Sequence, residues 1–235
     1  MCIRAILFDA VGTLIFPDPP VAKAYAAAAA RFGITLSEAE IARRFRAAFV
    51  EREDVDRRNG FRTSSAWERS RWLRIVNDVF GDAAPSEICT RIFGDLFLHF
   101  ARAESWRVDP NAAACWQALA DRGLLLGIAS NFDDRLIEIA RRLPPLDRGE
   151  RLFLSARIGY RKPAVEFFRF IERDLGIAAR ELLSIGDDLE NDYRGAKAAG
   201  WQGRLLCPSE SELELPPCDI LLSLRELPER LRQVR

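Results

Sequence analysis

Polar residues that could take part in catalysis or ligand binding follow three short apolar runs of this sequence. Asp9 follows the first run, Ser130 and Asn131 follow the second, and Asp187 and Asp188 follow the third. Carboxylates act as nucleophiles or as ligands of hard cations. Each residue alone also has an ordinary explanation, because an Asp often forms a turn and Ser-Asn often starts a helix. Their repeated position favours one shared ligand site.

The apolar runs read as buried strands that alternate with amphipathic helices. Unbroken apolar strands of this kind are typical of a parallel sheet that is covered on both faces. Ligands of such sheets bind at the carboxyl ends of the strands. The loop Gly159–Pro163 is placed to reach the same edge. We therefore expect a doubly wound α/β fold with its site at that edge.

A helical block interrupts this alternation after the first strand. Ser37 and Ser65 each begin a capping-box pattern, which predicts helices from Ser37 to Val50 and from Ser65 to about Gly81. The stretch with Glu53, Asp54 and Asp56 reads as a polar loop. Asp109-Pro110 reads as the start of a later helix. We expect a core domain of residues 1–16 and 105–235, with an all-helical domain of residues 17–104 inserted into it.

Composition excludes several classes of function. Lys+Arg and Asp+Glu both total 35 in 235 residues, and this balance argues against a nucleic-acid-binding protein. No apolar run approaches the roughly 18 residues of a membrane span, and the start of the chain does not resemble a signal peptide. We therefore expect a cytoplasmic protein. The single histidine, His99, lies in an apolar run and is expected to be structural.

Four segments together resemble the motifs of the haloacid dehalogenase superfamily of hydrolases. They are Phe8–Leu14, Ile128–Asn131, Arg161–Pro163 and Gly186–Asp192, in the order of that superfamily. The helical block between the first two motifs resembles the cap of one of its subfamilies. The resemblance implies a Rossmann-like core with a helical cap domain that closes over the site.

The resemblance also implies roles for individual residues. Asp9 is the expected nucleophile, and Lys162, one of only three lysines in the chain, neutralises its charge. Ser130 and Asn131, with Gly12 and Thr13, are expected to bind phosphate. The resemblance further implies that the cofactor is Mg²⁺. Its expected ligands in this chain are Asp9, the carbonyl of Val11, Asp187, Asp188 and Asp192.

Val11 departs from the phosphatase pattern. Phosphatases of the superfamily carry at this position a second Asp, which protonates the leaving group. General acid–base catalysis contributes roughly 10²–10⁴-fold, so its loss is substantial. One interpretation is a phosphatase for small phosphorylated metabolites whose leaving group needs little protonation, or whose acid comes from the cap, as from Glu53, Asp54 or Asp56.

Two other interpretations stay open at this stage. A 2-haloacid dehalogenase also lacks the second Asp, because a halide leaves without a proton. Dehalogenases, however, need no metal, and Asp187, Asp188 and Asp192 would then be uncompensated beside Asp9. A weakly active or non-catalytic phosphate-binding protein is the third interpretation. The sequence leaves the substrate and the oligomeric state open. Five cap arginines are expected to form a solvated face, with binding of an anionic substrate as the alternative; they are Arg43, Arg44, Arg57, Arg58 and Arg62.

Overall fold

Short apolar runs form the strands of the sheet. The computed structural model describes residues 2–149, 151–207 and 214–231. The strands in these ranges are β1 (Ala5–Phe8), β2 (Ile15–Pro17), β3 (Trp106–Val108), β4 (Leu125–Ser130), β5 (Arg151–Leu154), β6 (Leu182–Gly186), β7 (Gln202–Leu206) and β8 (Ile220–Leu221).

The helices cover both faces of the sheet and form the inserted block. They are α1 (Val21–Ala30), α2 (Glu38–Arg58), α3 (Ser65–Phe80), α4 (Ser86–His99), α5 (Ala112–Ala120), α6 (Arg135–Ala140), α7 (Ser155–Ile158), α8 (Val165–Leu175), α9 (Gly195–Ala198) and α10 (Leu227–Arg230). The α/β fold expected from the sequence is thus confirmed.

Six strands form one parallel sheet in the order β5-β4-β1-β6-β7-β8. Phe8 is in register with Ile128 of β4 and with Ile185 of β6, so the three strands end at nearly the same level. The chain runs from β1 to β4 and β5 on one side, and the later strands lie on the other. This reversal of strand order creates the crevice in which ligands of open α/β sheets bind.

Successive residues of β1 belong to opposite faces of the sheet. Ile6 and Phe8 join the apolar cluster that includes Trp116 of α5, whereas Ala5 and Leu7 join the cluster under α8. All four are at most 1% exposed. This burial on both faces explains why the strand is an unbroken apolar run, since neither face meets water.

Helices α1–α4, residues 21–99, share an apolar cluster of their own; we call them the helical segment. Buried residues of all four helices, among them Tyr25, Ile41, Phe80 and Ile92, form this cluster. The segment lies in sequence between β2 and β3, which pair antiparallel at its base. The division of the chain into a core of 1–16 and 105–235 and an insert of 17–104 stays a prediction.

Two predictions made from the sequence are wrong for the region of helix α2. The helix continues through Arg58, eight residues past Val50, so Glu53, Asp54 and Asp56 lie on a helix and not in a loop. Residues 51–58 lack the apolar periodicity that marks a buried face. They are helical nonetheless because the buried face here carries charges with partners, and Asp56 is only 2% exposed.

Smaller differences concern helix ends and short strands. Ser64, not Ser65, caps α3 by accepting a hydrogen bond from the Trp67 N–H. Helix α5 begins at Ala112, since the Asp109 carboxylate caps the preceding turn at Asn111. The sequence analysis missed β2 and β3, because three-residue strands are too short to display a period. The helix expected from Leu224 to Arg232 is a 3₁₀ turn followed by α10, and Arg232 lies outside the described residues.

Four buried charged side chains join the helical segment to the sheet domain; we call Asp56, Glu68, Arg71 and Arg161 the ion-pair cluster. Arg71 Nε donates to Asp56 Oδ2 at 2.9 Å. Arg161 hydrogen-bonds to Glu68 and lies 3.5 Å from Asp56. Each of the four is at most 6% exposed. The cluster therefore fixes α2 and α3 against the loop that carries Arg161.

Backbone hydrogen bonds support the same junction. Arg161 N–H donates to the Phe61 carbonyl at 2.9 Å, and Thr63 N–H donates to the Gly159 carbonyl at 3.0 Å.

None of the helices in the described ranges combines the length and the apolar character needed to cross a membrane.

The ion-pair cluster allows a test of the junction. Glu68→Ala should lower the free energy of unfolding by about 3–5 kcal/mol, because it leaves buried Arg161 without its main partner. Chemical denaturation measures this change. Glu87→Ala, at an exposed position of α4, is the control and should change stability by less than about 1 kcal/mol. Equal effects of the two substitutions would contradict the structural role of the cluster.

Candidate active site

The carboxyl ends of three central strands bring the predicted residues together. Asp9 follows β1, Ser130 ends β4 and Asp187 follows β6. The Asp9 N–H donates to the Ile185 carbonyl at 2.7 Å, which extends the sheet pairing to the start of the site. The convergence expected from the sequence therefore exists.

The ammonium group of Lys162 lies at the centre of this group. Its Nζ is 2.7 Å from Asp9 Oδ1, 2.5 Å from Asp192 Oδ1 and 2.7 Å from the Ala129 carbonyl. The residue is 3% exposed. Burial alone would lower the pKa of Lys162, but the two carboxylates outweigh it and raise the pKa above its ordinary value. Lys162 is therefore a permanent cation that satisfies all three of its donors here.

Three carboxylates lie close to one another at this point. Oxygens of Asp9, Asp187 and Asp192 all fall within 4.8 Å of each other. Burial raises the pKa of Asp187 to about 6, and the nearby charge of Asp9 adds to the effect. Burial likewise raises the pKa of Asp192, while Lys162 opposes this. One ammonium does not balance three acids, and the set of hard oxygen donors fits Mg²⁺.

The remaining two expected metal ligands are placed differently. Asp188 is not part of the close carboxylate group among the described residues. Its Oδ1 accepts from the N–H groups of Glu190 and Asn191, so it caps the π-helical turn Leu189–Arg194. The side chain of Val11 borders the adjoining cavity. Metal binding by Asp188 and by the Val11 carbonyl stays a prediction.

Gly12 and Thr13 both adjoin Asp187. Gly12 has φ +95°, and a Cβ there would lie 2.2 Å from Asp187 Oδ2, so no larger residue fits without displacing that carboxylate. Thr13 is fully buried, and its hydroxyl donates to Asp187 Oδ1 at 3.2 Å. Sequence analysis assigned both to phosphate. Their visible contacts instead position Asp187, and phosphate binding by them stays a prediction.

Asn131 is also engaged with the protein. Its Nδ2 donates to the Lys162 carbonyl at 3.0 Å, and its Oδ1 accepts from the Lys162 N–H at 2.8 Å. The side-chain amide thus hydrogen-bonds to both the N–H and the carbonyl of Lys162 and fixes the backbone at this residue. Ser130 is buried beside it and borders the same cavity as Asp9. Phosphate binding by Ser130 and Asn131 stays a prediction.

A cavity of about 360 Å³ extends from these residues into the helical segment. Asp9, Lys162, Asp187 and Asp192 lie at its polar end, and six of its other lining residues are aromatic side chains of α1–α4. The sequence analysis did not predict this cavity, because a core and a chamber show the same helical periodicity.

Among the three acids expected near the site, Glu53 alone borders the cavity in the described ranges. Burial raises its pKa, as does the charge of Asp188. Asp54 pairs with Arg57 at the surface, and Asp56 is committed to the ion-pair cluster.

The arginines at the cavity are ones that the sequence analysis did not assign to substrate binding. Arg71, Arg135 and Arg161 border it. The five cap arginines expected to be solvated are not among the described residues that border the cavity; they are Arg43, Arg44, Arg57, Arg58 and Arg62. One signal was present for Arg161, which immediately precedes Lys162. His99 ends α4 and packs edge-on against Phe100, in agreement with a structural role.

Comparison with known proteins agrees with this architecture. The family model described as haloacid dehalogenase-like hydrolase matches residues 3–200. The haloacid dehalogenase-like hydrolase domain-containing protein 3 of Danio rerio is 30% identical over 98% of this chain and 97% of its own. A ribulose-1,5-bisphosphate 5-phosphatase of Halopiger xanaduensis is 30% identical over 88% of this chain and 85% of its own.

A solved structure of a defluorinating L-2-haloacid dehalogenase shares the fold with a TM-score of 0.74. It is 19% identical, and the match covers 98% of this chain and 95% of that one. The chain is thus similar in sequence to a phosphatase and similar in fold to a dehalogenase. The chain belongs to the haloacid dehalogenase-like hydrolases.

Proposed function

We propose that this hydrolase is a Mg²⁺-dependent phosphatase that acts on a small phosphorylated metabolite through an aspartyl-phosphate on Asp9. The observation that carries the proposal is the charge balance of the site. Asp9, Asp187 and Asp192 converge within 4.8 Å, and one buried ammonium, Lys162, faces them. A bound divalent cation offsets the excess negative charge and lets a phosphate dianion approach.

The protein residues then have separate tasks. Lys162 binds Asp9 Oδ1, which leaves the other carboxylate oxygen without a hydrogen bond in the described part of the chain. That oxygen attacks phosphorus, the ester P–O bond breaks, and the leaving oxygen departs with the bonding electrons. Water then attacks phosphorus, which releases inorganic phosphate and restores the Asp9 carboxylate. Ser130 and backbone N–H groups at the strand ends hold the phosphate oxygens.

Magnesium in this proposal is held by Asp9, Asp187 and Asp192, with Val11 contributing its carbonyl. When bound, it supplies Lewis-acid polarisation of the phosphoryl group and neutralises charge. The proposed inserted domain, residues 17–104, contains the helical segment and serves as a cap that keeps water from the reacting groups. Asp188 is better explained as a helix cap that orients the turn carrying Asp192.

A 2-haloacid dehalogenase remains the second candidate. The observation that favours it is Val11, since halide departure needs no proton. Against it stands the carboxylate group itself. Without a cation, Asp9 would attack the halogen-bearing carbon of an anionic haloacid beside two further acids, and such close like charges raise the cost of binding an anion. A weakly active phosphate-binding protein is the third candidate, and it predicts phosphate affinity without turnover.

Phosphate release tests the proposed reaction. The wild-type protein should release phosphate from small phosphate esters only with Mg²⁺ present, and Asp9→Asn should lower kcat by roughly 10³-fold or more because it removes the nucleophile. Halide release from 2-haloacids is measured in parallel. Halide release without phosphate release would move the assignment to the dehalogenase.

Calorimetric titration with Mg²⁺ tests the ligand set. Asp187→Asn should weaken Mg²⁺ binding at least tenfold, because it replaces a charged ligand by a neutral one. Asp188→Asn is the matched control, since Asn also caps helices well and should preserve the turn. Its Mg²⁺ affinity should stay close to that of the wild type. Loss of affinity in the Asp188 variant alone would contradict the proposed ligand set.

Glu53 is the proposed replacement for the missing acid at position 11. It borders the cavity with Asp9, and a raised pKa keeps a carboxyl protonated closer to neutral pH. Glu53→Gln should therefore lower kcat/KM by roughly 10²–10⁴-fold for alkyl phosphates, whose leaving groups need a proton. The same substitution should barely change kcat/KM for acetyl phosphate, whose leaving group needs no proton.

The control for this substitution is Asp54→Asn, one residue along the same helix and paired at the surface. It should leave the dependence on leaving-group pKa unchanged. A wild-type protein with a steep dependence, unaltered by Glu53→Gln, would show that the phosphatase works without any general acid.

A further inference from the structure

The cavity behind the carboxylates is an aromatic chamber. Nine of its lining residues are aromatic, including Phe45 and Phe49 of α2, Trp72 of α3 and Phe97 of α4. Its volume, about 360 Å³, is at the small end of the range of ligand pockets, roughly 300–1,000 Å³. A chamber of this lining favours an apolar or aromatic body, because apolar surface is removed from water on binding.

Two hydrogen-bond donors at the chamber wall have no partner among the described residues. Arg71 Nη2 and Trp106 Nε1 are both buried, and both residues border the chamber. Arg71 is 3% exposed and its guanidinium lies over the Phe49 ring at 4.7 Å. A buried donor without a partner costs roughly 1–3 kcal/mol. A ligand that offers oxygen acceptors recovers this energy.

The remaining arginines of the chamber each bind an acid of the protein. Arg135 makes two hydrogen bonds with the Asp133 carboxylate, at 2.8 and 2.9 Å, and lies 3.9 Å from the centre of the Phe97 ring. Arg161 hydrogen-bonds to Glu68. Among the chamber arginines of the described ranges, Arg71 is the one with a buried nitrogen that has no hydrogen-bond partner.

Charge decides which acceptor fits. In the ion-pair cluster two arginines face two acids, so the cluster is neutral as it stands. A carboxylate or second phosphate at Arg71 would add an uncompensated charge to an apolar enclosure, which is costly. A carbonyl, ether or hydroxyl oxygen adds none and still accepts the hydrogen bonds.

We propose that the substrate is a phosphate monoester with an uncharged, largely aromatic body. This body occupies the chamber, and neutral oxygen atoms on it accept hydrogen bonds from the unpartnered donors Arg71 Nη2 and Trp106 Nε1. The proposal rests on the phosphatase function proposed above, and it makes Arg71 and Trp106 specificity-determining residues. It excludes sugar bisphosphates, whose second phosphate would enter the aromatic end of the chamber.

Substituted benzyl phosphonates provide the test, because their C–P bond is not hydrolysed and binding is therefore measured without turnover. The probes are 4-acetylbenzyl, 4-isopropylbenzyl and 4-carboxybenzyl phosphonate, with ribose 5-phosphate for comparison. Binding to the full-length protein with Mg²⁺ is measured by calorimetry. The acetyl compound should bind roughly tenfold more tightly than the isopropyl and carboxy compounds. Ribose 5-phosphate should bind more weakly than any benzyl compound.

Conservative variants identify the donors. Arg71→Lys keeps a cation beside Asp56 but removes Nη2, and Trp106→Phe keeps a ring but removes Nε1. At least one of the two variants should reduce the preference for the acetyl over the isopropyl compound by threefold or more, whereas the affinity for the isopropyl compound should change little. Arg69→Lys, at an exposed position of the same helix as Arg71, is the matched control and should keep the preference.

The outcomes separate this proposal from the phosphatase function. Equal binding of the acetyl and isopropyl compounds, or tighter binding of ribose 5-phosphate, would overturn the chamber assignment even if phosphate is released from other esters. Retention of the acetyl preference in both variants would likewise overturn the assigned donors. Conversely, the predicted binding preferences with no phosphate release from the corresponding benzyl phosphates would support the chamber and refute the phosphatase.

Discussion

The buried ammonium of Lys162 is the constraint on which the site is built. A cation removed from water needs every donor paired, and here Asp9, Asp192 and a backbone carbonyl pair all three. Two local features hold the partners of the ammonium in place. Asn131 hydrogen-bonds to the backbone of Lys162. Gly186 leaves room for Asp192, since a Cβ at position 186 would lie 2.0 Å from Asp192 Cγ.

The same constraint couples the site to the helical segment. Lys162 follows Arg161 directly, and Arg161 is bound to Glu68 of α3. Movement of α3 relative to the sheet would therefore pull on the loop that positions the ammonium. This arrangement joins the chamber wall and the reacting carboxylate in one set of contacts, since Arg71 of the same cluster borders the chamber. In the proposed mechanism, catalytic geometry and substrate recognition therefore depend on the same set of contacts.

Sequence patterns predicted the parts of this structure that depend on local rules. The strands β1, β4 and β6 are apolar because both faces are buried, and their ends place Asp9, Ser130 and Asp187 at one edge. The patterns failed where long-range partners replace local ones. Residues 51–58 are helical because buried charges on α2 meet partners on α3, and Asn131 bonds to a backbone 31 residues away. The sequence contains no local trace of either pairing.

The chamber offers a physical explanation for the apolar residue at position 11. Its side chain borders the cavity and packs against the apolar cluster of the sheet domain. An aspartate at this position would place another carboxylate at the boundary between three acids and an aromatic enclosure, where both neighbours disfavour its charge. An apolar residue instead continues the chamber wall up to the reacting group. In the proposed mechanism the proton then has to come from another element, and Glu53 on α2 is a carboxyl group at the chamber whose pKa is raised. The loss of the acid at position 11 and the apolar character of the chamber are, on this argument, two consequences of one adaptation to an uncharged substrate body.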